Sequence, residues 1–417
     1  MHPWPAPAPE PEPEPGFSGG RAAGIAIALL FLIVRIVYLY ARQPFFDELY
    51  TQWMAGEPLS SIVPHLLHDS GPPLYYFLAR LPSVIALRWE SLLFAAIAFV
   101  LVLRKFPLAA ALLAVYPAAA LYATEGRAYA LCAMFVAVGV LLLDEEQPFA
   151  AMAAFVLAAY SHYYGVLFFP LLLIKDRRAF FLAAALFIPG FVLAFHQPAE
   201  AMEWNVVHPW WVLLVSIAVA ALLARTWRFA PAVLIPAALV AAFALVGRNV
   251  YFPGRFESIL AAPLALWAAA SLERWRPPMR RAFVALLMIA GLALIAAGVV
   301  DERRQPPDPR LRAASIAAGA PVVVASDYCY LAARVQLGQR VRAFPPEQAE
   351  HPGWYRPPTQ EAALAAARSL PTTGFVFIAD AGTLELAAVA RVRRVQLRYR
   401  DGPAVVATVE PLTSTVH

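Results

Sequence analysis

Apolar stretches separated by short polar junctions occupy the chain up to about residue 300. The first, AAGIAIALLFLIVRIVYLYA at 22–41, is long enough to cross a bilayer, which takes about 20 helical residues. The later stretches have lengths that mostly suit single crossings and lie at about 89–103, 107–123, 128–143, 148–160, 161–174, 178–195, 208–224, 228–247, 257–272 and 280–300. The pattern predicts about eleven transmembrane helices.

Lysine and arginine are concentrated in four of the junctions, which read RK (104–105), KDRR (175–178), RTWR (225–228) and ERWRPPMRR (273–281). Cytoplasmic loops carry an excess of these residues, so we expect the four junctions and the N-terminus to be cytoplasmic. The long loop 42–88 then becomes the first outer loop. Acids, histidines and tyrosines of the short junctions fall on the same outer side, which predicts a working face away from the cytoplasm.

The composition changes after residue 300. PVVVAS, GFVFIAD, VRRVQLRYR and AVVATVE read as strands, EAALAAARSL reads as a helix, and the DG at 401–402 is typical of a hairpin turn. The predicted fold is an all-α polytopic membrane protein with a small C-terminal α/β domain outside the membrane. Its parts are a disordered, Pro-rich cytoplasmic tail (1–21), a transmembrane domain (22–300) and the α/β domain (301–417).

Composition narrows the class of protein. Hydrophobic residues make up 61% and charged residues 15% of the 417, and the mean hydropathy is +0.61, which excludes an ordinary soluble protein. The net charge of +5 does not indicate nucleic-acid binding, because the basic residues are scattered between apolar runs. Cys132 and Cys329 form no disulfide framework. The high content of Ala, Pro and Arg indicates a GC-rich bacterial source and therefore the inner membrane.

Two adjacent carboxylates, Asp47 and Glu48, follow the first apolar stretch in FFDELY (45–50). On a helix, neighbouring side chains point about 100° apart, so only one of the two can face a given cavity. An acid pair with no role at the membrane surface is an equal alternative at this point.

Charged residues recur at two further outer junctions. Glu125 and Arg127 lie in TEGRAY, where they can simply pair with each other. Arg248 and Arg255 flank NVYFPG, and two guanidinium groups near a membrane surface suit a phosphate, which each can bind through two parallel hydrogen bonds. Anchoring to lipid headgroups is the competing interpretation.

Hydroxyl-binding candidates lie in HDSGPPLYYF (68–77) and SHYYG (161–165). A lone histidine serves more often in packing than as a ligand, and no His/Glu spacing in the chain predicts a metal site. The candidates for binding a sugar or an acceptor are His68, Asp69, Tyr75, Glu125, His162 and Tyr163.

The order of these motifs carries more information than any one of them. A first outer loop that opens with DE and closes with PPLYY is followed by E-x-R-x-Y, then HYYG, then a late GRF. This order resembles the membrane-embedded GT-C type glycosyltransferases that use lipid-phosphate sugars. They include the dolichyl-phosphate-mannose protein mannosyltransferases and the bacterial aminoarabinose and galacturonosyl transferases of lipid A. The resemblance covers about 22–300.

The resemblance implies roles for particular residues. Asp47 matches the aspartate taken as the base, with Glu48 as the second choice, and Arg255 matches a late arginine that binds the donor phosphate, with Arg248 and Arg127 next. The chain has Phe256 where relatives often have tyrosine, so one hydroxyl is missing. Some members bind a divalent cation near the acids, which leaves a cation near Asp47 open.

The expected function is inverting transfer of a sugar from a polyprenyl-phosphate donor to a hydroxyl acceptor on the periplasmic side. The expected partners are this donor, membrane lipids and an acceptor in the cell envelope, which can be a lipid, a glycan or a protein. Two other classes stay open: a transporter or flippase of lipid-linked sugars, and a non-catalytic accessory membrane protein. A transporter should carry ionisable residues within its spans, whereas most acids here cluster at one face.

Overall fold

The computed structural model describes residues 18–198, 217, 226–246, 248, 250–306, 308–316, 321–325, 327–338, 341–344, 346 and 359–411. Most of the predicted tail 1–21 and of the predicted span 208–224 lies outside these residues. Within the first described range, 18–198, the helices are α1 (Ser18–Ala41), α2 (Phe46–Gly56), α3 (Ile62–Leu66), α4 (Leu74–Leu78), α5 (Val84–Lys105), α6 (Pro107–Ala114), α7 (Pro117–Tyr122), α8 (Tyr129–Asp144), α9 (Pro148–Ser161), α10 (Pro170–Lys175), α11 (Arg177–Leu186) and α12 (Ile188–His196). Short 3₁₀ turns cover Leu59–Ser61 and Tyr163–Phe168.

The second half of the described chain contains fewer helices and all the strands. Its elements are α13 (Ala230–Leu245), α14 (Arg255–Leu272), α15 (Pro277–Arg304), α16 (Pro309–Ile316), β1 (Val322–Val324), α17 (Asp327–Leu337), β2 (Val341–Ala343), α18 (Gln360–Arg368), β3 (Phe375–Asp380), α19 (Leu384–Val392), β4 (Val395–Asp401) and β5 (Ala404–Val409). The polytopic helical region and the small α/β region predicted from the sequence are both present.

Three described helices are long and apolar enough to cross a membrane: Arg21–Ala41, Val84–Lys105 and the one that begins at Pro277. The bent pair α11–α12 would make a fourth. Four further apolar helices are shorter, at 10–17 residues. The count of about eleven crossings therefore stays a prediction.

Helix boundaries differ from the apolar runs where capping residues and prolines intervene. α5 begins at Val84 rather than 89, because the Ser83 hydroxyl accepts a hydrogen bond from the Ala86 amide at 3.2 Å. The run at 107–123 contains a break before Pro117, so α6 and α7 are separate helices. The run at 178–195 bends by 44° between α11 and α12, where Pro189 occupies the first turn of the second helix.

The two short runs at 148–160 and 161–174 form separate apolar helical segments, and their assignment as two crossings stays a prediction. Glu146, just before α9, pairs with Lys175 at the end of α10. Between these segments, the His162 ring lies 5.2 Å from that of Tyr129, at the start of α8. We call the end with His162, Tyr129 and Asp47 the acid end, and the end with Lys105, Lys175 and Arg228 the basic end.

Arg35 is buried in the C-terminal half of α1, which ends at Ala41. Its guanidinium donates to the carbonyl oxygens of Leu113 at 3.0 Å and Ala114 at 2.7 Å. These are the last carbonyls of α6 before the break at Pro117, and the Leu113 carbonyl also accepts a longer bond from the Tyr116 amide at 3.4 Å. Arg35 therefore stabilises a break in a helix surrounded by apolar side chains.

The C-terminal region contains a five-stranded sheet in the order β2-β1-β3-β5-β4. β1 pairs in parallel with β2 and β3, and β5 pairs antiparallel with β3 and β4. The predicted hairpin at 401–402 is present, and Gly402 has φ +52°, which suits glycine. The three-residue strand β2 was not predicted, because it is too short to show alternation.

Candidate active site

The acid pair lies in the first turn of α2, where the positive end of the helix dipole favours carboxylates. The helix directs the two side chains to different surroundings. Asp47 keeps 21% of its side chain exposed, whereas Glu48 is completely buried. One acid therefore remains accessible, and the other is enclosed by protein.

Arg88 holds Glu48. Its Nε donates to Oε1 at 2.7 Å and its Nη2 to Oε2 at 2.5 Å, so the pair is bidentate. The Gly126 amide donates to Oε1 at 2.9 Å. Glu48 thus joins α2 to α5 and to the turn before α8. The remaining bonds of Arg88, at 2.8 to 3.0 Å, go to the backbone carbonyls of Leu39, Arg42 and Gln43.

Asp47 lies between two guanidinium groups. Its Oδ2 accepts a hydrogen bond from Arg255 Nη2 at 2.8 Å, and Arg127 Nε lies 4.0 Å from the same oxygen. Arg127 Nη1 also donates to the Tyr76 hydroxyl at 2.8 Å and to the Asp47 carbonyl at 3.3 Å. Three segments more than 70 residues apart along the chain therefore meet at one carboxylate.

A strained turn places Arg255 at the first position of α14. Gly254 has φ +83°, and a Cβ there would lie 2.7 Å from the Tyr122 ring, so only glycine fits. Glu257 fixes the turn by accepting hydrogen bonds from the Gly254 amide at 2.6 Å and the Tyr251 hydroxyl at 2.5 Å. An acid three residues after the N-cap is a capping signal that the sequence analysis missed.

Aromatic rings surround the Arg255 guanidinium. Its central carbon lies 4.2 Å from the Phe252 ring and 5.3 Å from the Tyr129 ring, distances at which cation–π attraction operates. Phe256, which replaces the tyrosine expected from the resemblance, is buried with its ring 5.3 Å from that of Tyr164. The phenylalanine therefore has an apolar environment of its own beside the site.

Asp69 is a second acid at this end. It is 7% exposed and lies in the electrostatic field of Arg127 and Asp47, beside the Tyr50 hydroxyl. Burial raises the pKa of the Asp69 carboxyl to about 6, and the neighbouring Arg127 opposes that rise. The proton of this acid therefore titrates close to neutral pH.

Tyr163 is connected through Gln197 to the loop that carries Asp69. Its hydroxyl donates to Gln197 Oε1 at 2.9 Å. The amide nitrogen of Gln197 donates to the carbonyls of Leu66 at 2.9 Å and Gly71 at 2.8 Å. Tyr163 and Gln197 thus tie both sides of the loop to the end of α9, a role that the motif SHYYG did not reveal.

Glu125 is buried and bonds to Arg42 at 2.6 Å rather than to Arg127, with which the sequence allowed it to pair. Arg42 Nε in turn lies 3.2 Å from Glu302, near the end of α15. His162 Nδ1 accepts from the Tyr164 amide at 3.2 Å.

Three predicted residues do not take part in this cluster as expected. The side chains of His68 and Arg248 are exposed. Tyr75 is buried with its ring 5.9 Å from that of Tyr76, and it is Tyr76 that supplies the hydroxyl bonded to Arg127.

The residues around Asp47 do not fit a divalent cation. Within the described ranges, no group of three or more His, Cys, Asp or Glu side chains could hold a metal. The nearest charged groups to the Asp47 carboxylate are the guanidinium groups of Arg255 and Arg127, which repel a cation.

The fold that carries this cluster is similar to that of solved structures of another protein. Crystal structures of ArnT from Cupriavidus metallidurans share it, with a TM-score of 0.58 and 14% identity for the apo state. The structure with bound undecaprenyl phosphate gives 0.54 and 13%. Both alignments cover 94% of this chain and 98% of ArnT.

No family model and no curated protein matches the chain by sequence. The structural similarity extends over the helical region and the C-terminal region together, because so little of either chain is left unaligned. It shows that this chain shares the fold of ArnT, as the resemblance to the aminoarabinose transferases of lipid A implied.

Proposed function

We propose that this protein is an inverting glycosyltransferase that moves a sugar from a polyprenyl-phosphate donor to a hydroxyl acceptor. The observation that carries the proposal is the 2.8 Å contact between Asp47 Oδ2 and Arg255 Nη2, which places a candidate base beside a candidate phosphate ligand. The fold shared with ArnT, which binds undecaprenyl phosphate in one of its structures, supports a lipid-linked donor.

Asp47 is the proposed general base. The acceptor oxygen forms a bond to the anomeric carbon while the bond from that carbon to the phosphate oxygen breaks. The acceptor proton passes to Asp47, and the polyprenyl phosphate leaves. A carboxylate in this position contributes about 10²–10⁴-fold to the rate. Both oxygens of Glu48 already accept bonds from Arg88, so Glu48 is the weaker candidate.

Arg255 and Arg127 are the proposed ligands of the leaving phosphate. A guanidinium has five N–H donors, so it can bond a carboxylate and a phosphate at once. Aromatic rings restrict the water around Arg255, which strengthens its attraction for a developing negative charge. Arg248, which is exposed, is a poorer candidate than either.

The proposed site faces the periplasm. Lys105, Lys175 and Arg228 lie at the opposite, basic end, and an excess of basic residues marks the cytoplasmic side of bacterial membrane proteins. Nucleotide sugars are made in the cytoplasm, so a transferase that works on the other side needs a donor carried by lipid.

The test compares Asp47→Asn with Asp301→Asn, an exposed acid at the end of α15. Purified proteins are incubated with undecaprenyl phosphate, and binding is followed by native mass spectrometry. Transfer is followed by mass spectrometry of envelope glycans in a deletion strain that expresses each variant. We expect Asp47→Asn to bind the lipid and to lose transfer by about 10²-fold or more, and Asp301→Asn to match the wild type.

Full transfer by Asp47→Asn would remove the base assignment. A wild-type protein that leaves envelope glycans unchanged but moves lipid-linked sugar across vesicle membranes would instead be a transporter. An accessory protein would tolerate the loss of Asp47 in every assay.

A further inference from the structure

Helix α17 belongs to two hydrophobic cores. Leu331 and Ala332 are completely buried in the core of the helical region, and Tyr328 packs against the same core. Cys329, Tyr330 and Ala333 are buried in the core beneath the sheet. Residues spaced by three and four share one face of a helix, so α17 presents one face to each region.

The face toward the helical region contacts α2. The Tyr328 ring lies 5.3 Å from the ring of Phe46 at an interplanar angle of 66°, an edge-to-face arrangement. The Tyr328 hydroxyl is within hydrogen-bonding reach of the Phe46 amide and of Asp308. Phe46 is the first residue of α2 and immediately precedes Asp47.

The first turn of α2 has no side-chain cap of its own, because Phe45 at the N-cap makes no such hydrogen bond. Its position therefore depends on tertiary contacts. Arg88 holds Glu48 on one side, and Tyr328 contacts Phe46 on the other. Asp47 lies between these two anchored residues.

A chain of contacts fixes Tyr328 to the sheet. The Arg310 guanidinium lies 4.7 Å from the Tyr328 ring and bonds both carboxylate oxygens of Asp380, at the end of β3, at 3.0 and 3.3 Å. One further hydrogen bond joins the two regions: the Asp308 backbone amide donates to the Gln43 side-chain oxygen Oε1 at 3.3 Å. The C-terminal region is thus joined to the segment 43–46 that introduces the acid.

We infer that Tyr328 is a positioning residue for Asp47, and that the C-terminal region sets the geometry of the acid through it. This inference rests on the proposed function. The edge-to-face pair with Phe46 is a single weak contact, so its loss need not unfold the protein. A displacement of about 1 Å at a reacting group can cost about 10²-fold in rate.

The experiment compares Tyr328→Ala, Tyr328→Phe and Gln336→Ala, a control at an exposed position of the same helix. Hydrogen exchange of amides 46–51 reports the order of the first turn of α2. We expect Tyr328→Ala to exchange faster there and to lower kcat about 10-fold or more while the Kd for undecaprenyl phosphate stays within about twofold of wild type. Tyr328→Phe keeps the ring, so its exchange rate and kcat should lie between those of Tyr328→Ala and the wild type. Gln336→Ala should match the wild type.

Unchanged exchange and unchanged kcat in Tyr328→Ala would overturn the inference. A loss of undecaprenyl phosphate binding equal to the loss of kcat would also overturn it, since the residue would then support the site as a whole. If the wild type proves to have no transferase activity, the exchange measurement still decides whether Tyr328 orders α2, and only the proposed function fails.

Discussion

The two ends of the helical region hold their charged residues in different surroundings. At the acid end, Glu48–Arg88 and Glu125–Arg42 are enclosed by protein. At the basic end, Arg228 pairs with Asp144 while 52% of its side chain stays exposed, and Lys105 and Lys175 pair with Glu145 and Glu146 at the surface.

This difference distinguishes charged residues that fix the geometry of a site from charged residues that are solvated at a membrane face. A buried ion in a pair has lost its water, so removal of its partner leaves an uncompensated charge. An exposed ion keeps its water and loses little with its partner. Substitutions at the two ends should therefore differ in size, and measurements of stability and binding can break or sharpen the comparison.

The largest effect on stability is expected from Arg88→Ala. The substitution leaves the buried Glu48 carboxylate without its counter-ion and removes the hydrogen bonds to the C-terminal end of α1 and to residues 42–43. We expect the free energy of unfolding to fall by about 3–5 kcal/mol. Thermal unfolding in detergent should show a strongly lowered midpoint. Arg88→Ala combined with Glu48→Ala should recover part of the loss; a double variant no better than the single one would contradict this account.

Titration of Asp69 should change the free energy of unfolding by roughly 3 kcal/mol between acidic and neutral pH. The folded protein binds the Asp69 proton more tightly than the unfolded chain, since burial raises the pKa of this carboxyl to about 6. That stabilisation is present below about pH 4 and is lost as the pH rises through 6. Unfolding midpoints from pH 4.5 to 7 should fall less in Asp69→Asn than in the wild type. Parallel curves would show that Asp69 is not the group responsible.

The next largest difference between the two ends is expected in the affinity for undecaprenyl phosphate. Arg255→Ala removes charge-assisted hydrogen bonds worth about 1.5–3 kcal/mol, or roughly 10- to 100-fold in affinity for undecaprenyl phosphate. Arg228→Ala at the basic end is the matched control and should bind the lipid as the wild type does. Equal losses in a titration of both variants would mean that either end attracts anionic lipid.

The smallest effect is expected from Lys175→Ala. Its partner Glu146 is largely exposed, and pairs of this kind contribute about 1 kcal/mol or less. The unfolding midpoint should move little and less in high salt, because salt screens exposed charges. A loss as large as that of Arg88→Ala would remove the distinction between the two ends.

Sequence patterns predicted which residues lie on one side of the membrane better than they predicted the contacts among those residues. The apolar run before Asp47 and the later polar junctions predicted that Asp47, Arg127 and Arg255 lie on one side, because helix length fixes where each crossing ends. Arg88 was missed, since its significance depends on contacts with backbone carbonyls of α1, which no periodicity encodes. The choice of Tyr76 over Tyr75 as the partner of Arg127 likewise depends on the rotation of a five-residue helix.

The C-terminal region shows the same limit. Long alternating or apolar strands such as β3 and β5 were predicted, whereas β2 is formed by three residues that gain a strand only through pairing with β1. The role of α17 was not foreseen, because its two apolar faces resemble an ordinary buried helix until both neighbours are known.

Arg35 constrains how the chain is built into the bilayer. An arginine at the centre of a transmembrane helix costs about 2.5–3.5 kcal/mol on insertion and less toward the end where Arg35 lies, a cost that the apolar remainder of α1 can offset. Its carbonyl partners on α6 emerge from the ribosome more than 70 residues later. Until then the guanidinium must reach water or headgroups, so α1 should settle at its final depth only after α6 has entered the membrane.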